Sequence, residues 1–280
     1  MKKIIVLPLA LLLVVGFSCK RVKGDADTMD SDSDSMDVSD TAAEDEKAEM
    51  EKQTITITKL EGSPEYAQAE LVLDAPQNTK IGQSGEINFN FTVKDYELGA
   101  QTDGPNAEKL ANSGKGQHIH FILNNQPYSA HYEPAFKKEI PNGVHHLVAF
   151  LSRSYHESVK NENSVVVKKM EIGPDAEDTQ GLDMDAPTLI YSRPKGEYTG
   201  KDTENLLLDF FVLNTTLSED GNKVKATVNG EEFMLSEWAP YVVNGLPMGE
   251  VTIKLELIDG DGNGIAGPFN TVERTVMLKP

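Results

Sequence analysis

From residue 54 onward the chain is a succession of short apolar runs separated by clusters of Gly, Pro, Asn and Asp. Within the runs apolar and polar residues tend to alternate, and period two puts successive side chains on opposite faces of an extended strand. The pattern predicts strands over Thr54–Thr58, Ala69–Leu73, Glu86–Lys94, His118–Leu123, His146–Leu151 and Val165–Met170. It predicts a second set over Thr188–Tyr191, Leu206–Leu213, Lys223–Val228, Glu250–Leu257 and Thr271–Met277. Helical character is confined to Asn106–Asn112. Short strands without intervening crossover helices indicate an all-β protein built from antiparallel sandwiches.

The two sets of strands are one pattern written twice. Gly116-Gln-His-Ile-His-Phe-Ile-Leu-Asn matches Gly221-Asn-Lys-Val-Lys-Ala-Thr-Val-Asn, and Ile140-Pro-Asn-Gly-Val-His-His-Leu matches Leu246-Pro-Met-Gly-Glu-Val-Thr-Ile. Glu86-Ile-Asn-Phe likewise falls against Leu206-Leu-Leu-Asp. Two tandem domains of roughly 100 residues follow, at 53–182 and 183–280. The Pro-x-Gly turn before a long apolar strand resembles immunoglobulin-like domains of secreted bacterial proteins. That resemblance implies a β-sandwich topology and nothing about function.

The N-terminus changes the picture of where these domains reside. Lys2 and Lys3 precede an apolar run from Ile4 to Val15, broken only by Pro8, and then Gly16-Phe17-Ser18-Cys19. Twelve residues are too few for a permanent membrane helix but suit the core of a signal peptide, here residues 1–18. Ser18 before Cys19 resembles the lipobox of bacterial lipoproteins, although Gly16 stands where an aliphatic is usual, as in the looser versions of the Bacteroidota. The resemblance implies lipid on Cys19 and a membrane anchor. Lys20, in place of an aspartate retention signal, directs the expectation to the outer membrane, on its periplasmic side or the cell surface. Cys19 is the sole cysteine, so no intrachain disulfide can form.

Residues 19–52 then read as the lipidated cysteine and a disordered acidic linker. Between Asp25 and Glu51 there are twelve acids and one base, with no aromatic residue. Such a segment cannot bury enough apolar surface to offset its ordering entropy. Of the net charge of −19, residues 1–51 supply −6 (twelve acids, six bases), leaving −13 for the remainder. An acidic surface excludes nucleic acid as a partner and leaves envelope proteins or peptides as the class to consider.

All six histidines lie between His118 and His156, and the second repeat has none. His118 and His120 align with Lys223 and Lys225, His146 with Thr252, His131 with Ser236, His156 with Gly262, and His145 takes the inward place of Val251. The fold therefore does not require histidine at these positions. Strand alternation points His118, His120 and His146 away from the core, and imidazoles spaced i, i+2 with a third from a neighbouring strand could ligate Zn²⁺ or Cu²⁺. His131 or His156 could add a ligand from a loop. Free-base imidazoles predict an affinity that falls as pH drops through about 6.5. A His-x-His strand with a distant histidine superficially resembles carbonic anhydrase and cupin metal sites. A peptide or glycan contact surface, or no special role, are the alternatives.

Three other signals compete. Ser152-Arg153-Ser154, in Leu151-Ser-Arg-Ser-Tyr-His-Glu-Ser, resembles the Ser-Arg-x-x-His element of forkhead-associated phosphothreonine readers, and implies phosphopeptide binding without metal; similar lipoproteins are sometimes labelled that way. Neither the upstream Gly-Arg nor the following Asn-Gly of that family is present. Asp259, Asp261 and Asn263 fit the start of a calcium loop, but Asn270 stands where the bidentate Glu belongs, and Asp-Gly and Asn-Gly pairs also make ordinary hairpin turns. A metal-dependent hydrolase would need a base such as Glu133 or Glu157. The chain has no Gly-x-Ser-x-Gly, Walker loop, Rossmann glycine pattern or His-Glu-x-x-His, so no catalytic residue is assigned and a non-enzymatic binding protein is the leading expectation.

Overall fold

The computed structural model describes residues 54–280; the expected signal peptide, Cys19 and the whole expected acidic linker lie outside the described residues. Nine strands come first in the chain: β1 (Thr56–Lys59), β2 (Glu70–Ala75), β3 (Lys80–Ile81), β4 (Gly85–Lys94), β5 (His118–Leu123), β6 (Ser129–His131), β7 (Ala135–Ile140), β8 (Gly143–Ser152) and β9 (Val165–Ile172). Eight follow: β10 (Thr188–Arg193), β11 (Glu197–Thr199), β12 (Leu206–Leu213), β13 (Lys223–Val228), β14 (Glu231–Leu235), β15 (Tyr241–Asn244), β16 (Gly249–Ile258) and β17 (Thr271–Lys279). The single α-helix among the described residues, α1 (Asn106–Lys109), realises one turn of the expected helical stretch.

They form two immunoglobulin-like sandwiches. The first faces sheet β2-β4-β7 against β3-β9-β8-β5-β6, and the second faces β10-β12-β15 against β11-β17-β16-β13-β14. The orders coincide strand for strand, and details repeat with them. Each first strand carries a bulge, between Leu73 and Ala75 and between Tyr191 and Arg193. Each short strand that follows (β3, β11) pairs in parallel with the last strand of its domain. Asn124 and Asn229 close equivalent hairpins, each amide oxygen accepting the N–H of the facing residue, His146 or Thr252. The expected duplication is therefore a property of the fold. One alignment shifts by a residue: Ile87 faces Lys138 and Leu206 faces Val243, so the inward Ile87 corresponds to the inward Leu206.

The first strand departs from expectation. Instead of joining the first sandwich, β1 pairs with β15 and extends the second, Ile57 opposite Val243. Close passage needs a glycine: a Cβ at Gly245, whose φ is +74°, would lie 2.1 Å from the Thr54 carbonyl oxygen. The chain then crosses to the first sandwich.

Each sandwich has its own core. Phe89, Phe91, Phe121, Leu147 and Met170 fill the first, and Leu208, Phe210, Val224, Leu255 and Val276 the second. A third apolar cluster joins them: Ile122, Tyr128, Val148 and Phe150 of the first sandwich pack on Ile190, Phe211 and Phe269 of the second. Phe150 and Phe211 meet at 4.5 Å between ring centroids. The outer face of β5 and β8 is thus covered by the outer face of β10 and β12, and all four strands are buried on both sides. Buried on this seam, Asp209 accepts from Lys160 at 2.7 Å and from the Ser158 hydroxyl at 3.0 Å, tying the two sandwiches together.

Candidate functional site

Alternation along β5 places Ile119 and Phe121 in the first core and sends His118 and His120 outward, as expected. Outward here does not mean exposed: both histidines are fully buried, because their face is the seam. His118 Nδ1 lies 2.8 Å from the Gly116 carbonyl oxygen. A carbonyl can only accept, so Nδ1 carries the proton and Nε2 presents a bare lone pair. That Nε2 is 2.9 Å from His120 Nε2 and 3.1 Å from His156 Nδ1. The remaining nitrogen of His120 meets the Ser192 hydroxyl at 3.2 Å, a contact from the second sandwich.

His118, His120 and His156 thus bring one nitrogen each to a common point, all three within 4.8 Å of one another. Nitrogens about 2.0–2.1 Å from a tetrahedral Zn²⁺ lie about 3.3 Å apart, so little contraction or expansion separates this cluster from a ligand set. The supporting contacts have the form that orients metal-binding imidazoles, with the distal nitrogen held by a carbonyl or hydroxyl. No carboxylate belongs to the cluster, which favours Zn²⁺ or Cu²⁺ over Ca²⁺ or Mg²⁺.

The surroundings keep the imidazoles neutral. Burial lowers His118 to about 4, with the nearby Arg193 and Lys195 adding to the effect. His120 and His156 are pushed down as well, by burial first, then by neighbouring histidines and the same two cations. Tyr128 completes the wall: His120 stacks on its ring at 3.4 Å and Lys195 Nζ sits 3.7 Å from the ring centroid, while its hydroxyl lies 3.1 Å from His156 Nδ1. Burial raises the Tyr128 phenol above its usual range, so it stays protonated.

His156 is held with φ +70°, a left-handed conformation that is unfavourable for a side chain larger than glycine's. In the second repeat the same corner is turned by Gly262 at φ +87°. The equivalence is set by matched bonds, His156 N–H to the Arg153 carbonyl and Gly262 N–H to the Asp259 carbonyl. A histidine at a glycine position is the sequence signal for this member of the cluster.

The other predicted residues lie elsewhere. His120 pairs with Phe150, and His146 is four residues further along β8, about 13 Å from the cluster. His146 shares the face but not the place, so the expected His118/His120/His146 set is replaced by His118/His120/His156. His131 pairs with Ile119, in the position of Leu235 and not of Ser236. That one-residue difference turns it to the opposite face, where it stacks on Phe136 at 3.4 Å. His145 is satisfied by Asn124 and the Pro141 carbonyl, each at 2.9 Å.

Ser152, Arg153 and Ser154 are buried and engaged. Arg153 pairs with Glu157 at 3.0 Å and donates to the Pro64 and Ser158 carbonyls, while Ser154 Oγ accepts the Thr102 N–H. This leaves no guanidinium edge for a phosphate. Glu157 is bound to Arg153 and Ser63, with burial raising its carboxyl, and Glu133 is exposed between β6 and β7. The Asp259 carboxylate accepts the N–H groups of Asp261 and Asn263, at 3.0 and 2.8 Å, and contacts the Asn263 amide. These bonds hold it low, and they are those of a turn: Asn263 gives its NH₂, not its oxygen, toward Asp259.

No protein-family model matches the chain, and no curated protein matches it. Among solved structures, the fibronectin(III)-like modules of Clostridium thermocellum CbhA are 16% identical, with 75% of this chain and 94% of that one covered and a TM-score of 0.26. Bacteroides ovatus SGBP-B, solved with a mixed-linkage heptasaccharide, is 12% identical over 74% of this chain and 47% of its own, TM-score 0.22. Chicken CNTN1 FN1-FN3 domains are 10% identical over 71% and 62%, TM-score 0.21.

Proposed function

We propose that this chain is a non-enzymatic binding protein of the bacterial envelope that holds Zn²⁺ or Cu²⁺ between its two sandwiches. The observation that carries the reading is the convergence of the His118, His120 and His156 nitrogens, with His118 fixed in the tautomer that offers Nε2. Since His120 is also bonded to Ser192, a metal here would bind the arrangement of both domains, stabilising the seam by mass action. Lipid on Cys19 would place that unit at the outer membrane.

Burial revises the expected pH dependence. Protons compete with metal only near the free-base pKa, and His118 lies at about 4 instead of 6.5. Affinity should therefore hold nearly level from pH 7 to about 5 and fall below that. The test is titration of the full chain with Zn²⁺ and Cu²⁺ beside His118→Ala, His156→Ala and His146→Ala. One equivalent bound at micromolar affinity or tighter, lost in the first two variants and kept in the third, supports the reading. Binding indifferent to His118 and His156 overturns it. Lipidation is read separately, by labelled fatty acid incorporated into the chain and lost in Cys19→Ala.

A further inference from the structure

His146, left out of the triad, has its own setting. Its backbone is pinned on both sides by Asn124, the His146 N–H donating to Asn124 Oδ1 and the His146 carbonyl accepting the Asn124 N–H, both at 2.8 Å. Its ring stacks parallel to Phe269 of the second sandwich, centroids 5.6 Å apart. The residue is 4% exposed, and Nδ1 is sealed from solvent with no hydrogen-bond partner.

The ring lines a cavity of about 270 Å³ between β8, the segment joining the sandwiches and the turn before β17. Leu182, Met184, Thr188, Pro268 and Phe269 complete its main walls. Lys169, which faces His146 from β9, is outside the lining and is spent on Asp178 and the Leu182 carbonyl. An apolar cavity of about 150 Å³ already accommodates a benzene-sized molecule. No Lys or Arg lines this one, and its single carboxylate is Asp183. Burial lowers His146 to about 4, so the ring is neutral at pH 7.

Tautomer follows from burial. A sealed N–H without an acceptor is among the rarest arrangements in folded proteins, whereas an unused lone pair is better tolerated. The proton therefore belongs on Nε2, which makes no hydrogen bond to the protein among the described residues and is not sealed. It faces the cavity as a donor without an acceptor. Thr188, the lining hydroxyl, is not bonded to it and donates to the Ala186 carbonyl at 3.0 Å.

We propose that this cavity binds a small, neutral, largely apolar molecule bearing one oxygen acceptor, such as an aromatic ketone, received by the His146 Nε2–H. The absence of lining cations excludes a carboxylate or phosphate ligand, and the cavity's distance from the triad makes the site independent of metal.

Acetophenone and α-methylstyrene share a shape and differ by oxygen against CH₂, so they serve as probes. In NMR titrations of the full chain, acetophenone should shift the His146 ring signals saturably. His146→Phe keeps the stacking on Phe269 and removes the donor; it should weaken acetophenone about fivefold and leave α-methylstyrene unchanged. Ala186→Phe, which fills the cavity and spares His146, should abolish both. Absence of saturable shifts up to millimolar acetophenone overturns the site. Equal loss of both probes in His146→Phe overturns the hydrogen bond that defines its ligand.

Discussion

Strands β5 and β8 of the first sandwich and β13 and β16 of the second occupy the same places, in the same register, yet their outer faces are unlike. On the second, Lys225 pairs with Glu256 at 3.2 Å and Lys254 with Glu256 at 2.9 Å, all partly open to water. On the first, His118 and His120 stand where Lys223 and Lys225 do, amid Ile122, Val148 and Phe150, with no exposure. The difference is what lies over each face. Lysine needs water or a carboxylate close by, whereas imidazole can shed its charge and be buried neutral. The histidines mark the face that acquired a neighbour.

The most severe way to break the contrast is to exchange the residues. His118→Lys/His120→Lys gives the covered face the chemistry of the open one, setting two ammonium groups beside Arg193 and Lys195 without a carboxylate. We expect a loss on the order of 4 kcal/mol or more in urea unfolding, with the sandwiches parting first. Asp209→Ala, which strands the Lys160 ammonium at the seam, should cost about 3 kcal/mol, and Lys160→Met should recover part of that in the double variant.

Acid should tell the two outer faces apart, since the covered one carries His118, His120 and His146 and the open one no histidine. His118 has a folded pKa of about 4 against an ordinary 6.5, so the unfolded chain binds more protons between these values. Its contribution is present above pH 6.5 and is lost as pH falls toward 4. From pH 7 to 5 the metal-free chain should lose about 2 kcal/mol on this account, visible as a falling Tm. His118→Gln should remove that share of the slope and leave the share of the other buried histidines. The mildest change is the reverse exchange: Lys223→His/Lys225→His on the open face should alter stability by less than about 1 kcal/mol, since only partly exposed ion pairs are affected.

Much of this was legible in the sequence. The strands, the duplication and the outward direction of His118 and His120 follow from alternation and from matched turns. Short edge strands such as β6 and β14 escape the pattern because few residues carry it. Burial of the outward histidines does not follow from one repeat taken as an isolated sandwich. The signal lay in Leu206-Leu-Leu-Asp-Phe-Phe-Val-Leu and Leu147-Val-Ala-Phe-Leu, which do not alternate; near-continuous apolar runs belong to strands covered on both faces. The third member of the triad depended on tertiary geometry. His156 reaches the cluster from a tight corner after β8, and strand spacing alone pointed to His146. Ser152, Arg153 and Ser154 resemble a reader's motif, but Glu157, four residues after Arg153, occupies the guanidinium.

The pairing of β1 with β15 gives the molecule a load path. A pull on the chain ahead of Thr54 along the strand axis strains the rungs of that ladder together, in shear, and delivers the force to the second sandwich. The following stretch reaches the first sandwich, where the Pro64 carbonyl takes two donors from Arg153. Tension on the N-terminal segment is therefore shared by both halves, and the same length of chain staples them across the seam. A swinging motion of one sandwich against the other would have to tear this staple loose, so whatever the seam holds is shielded from a pull on the chain ahead of Thr54.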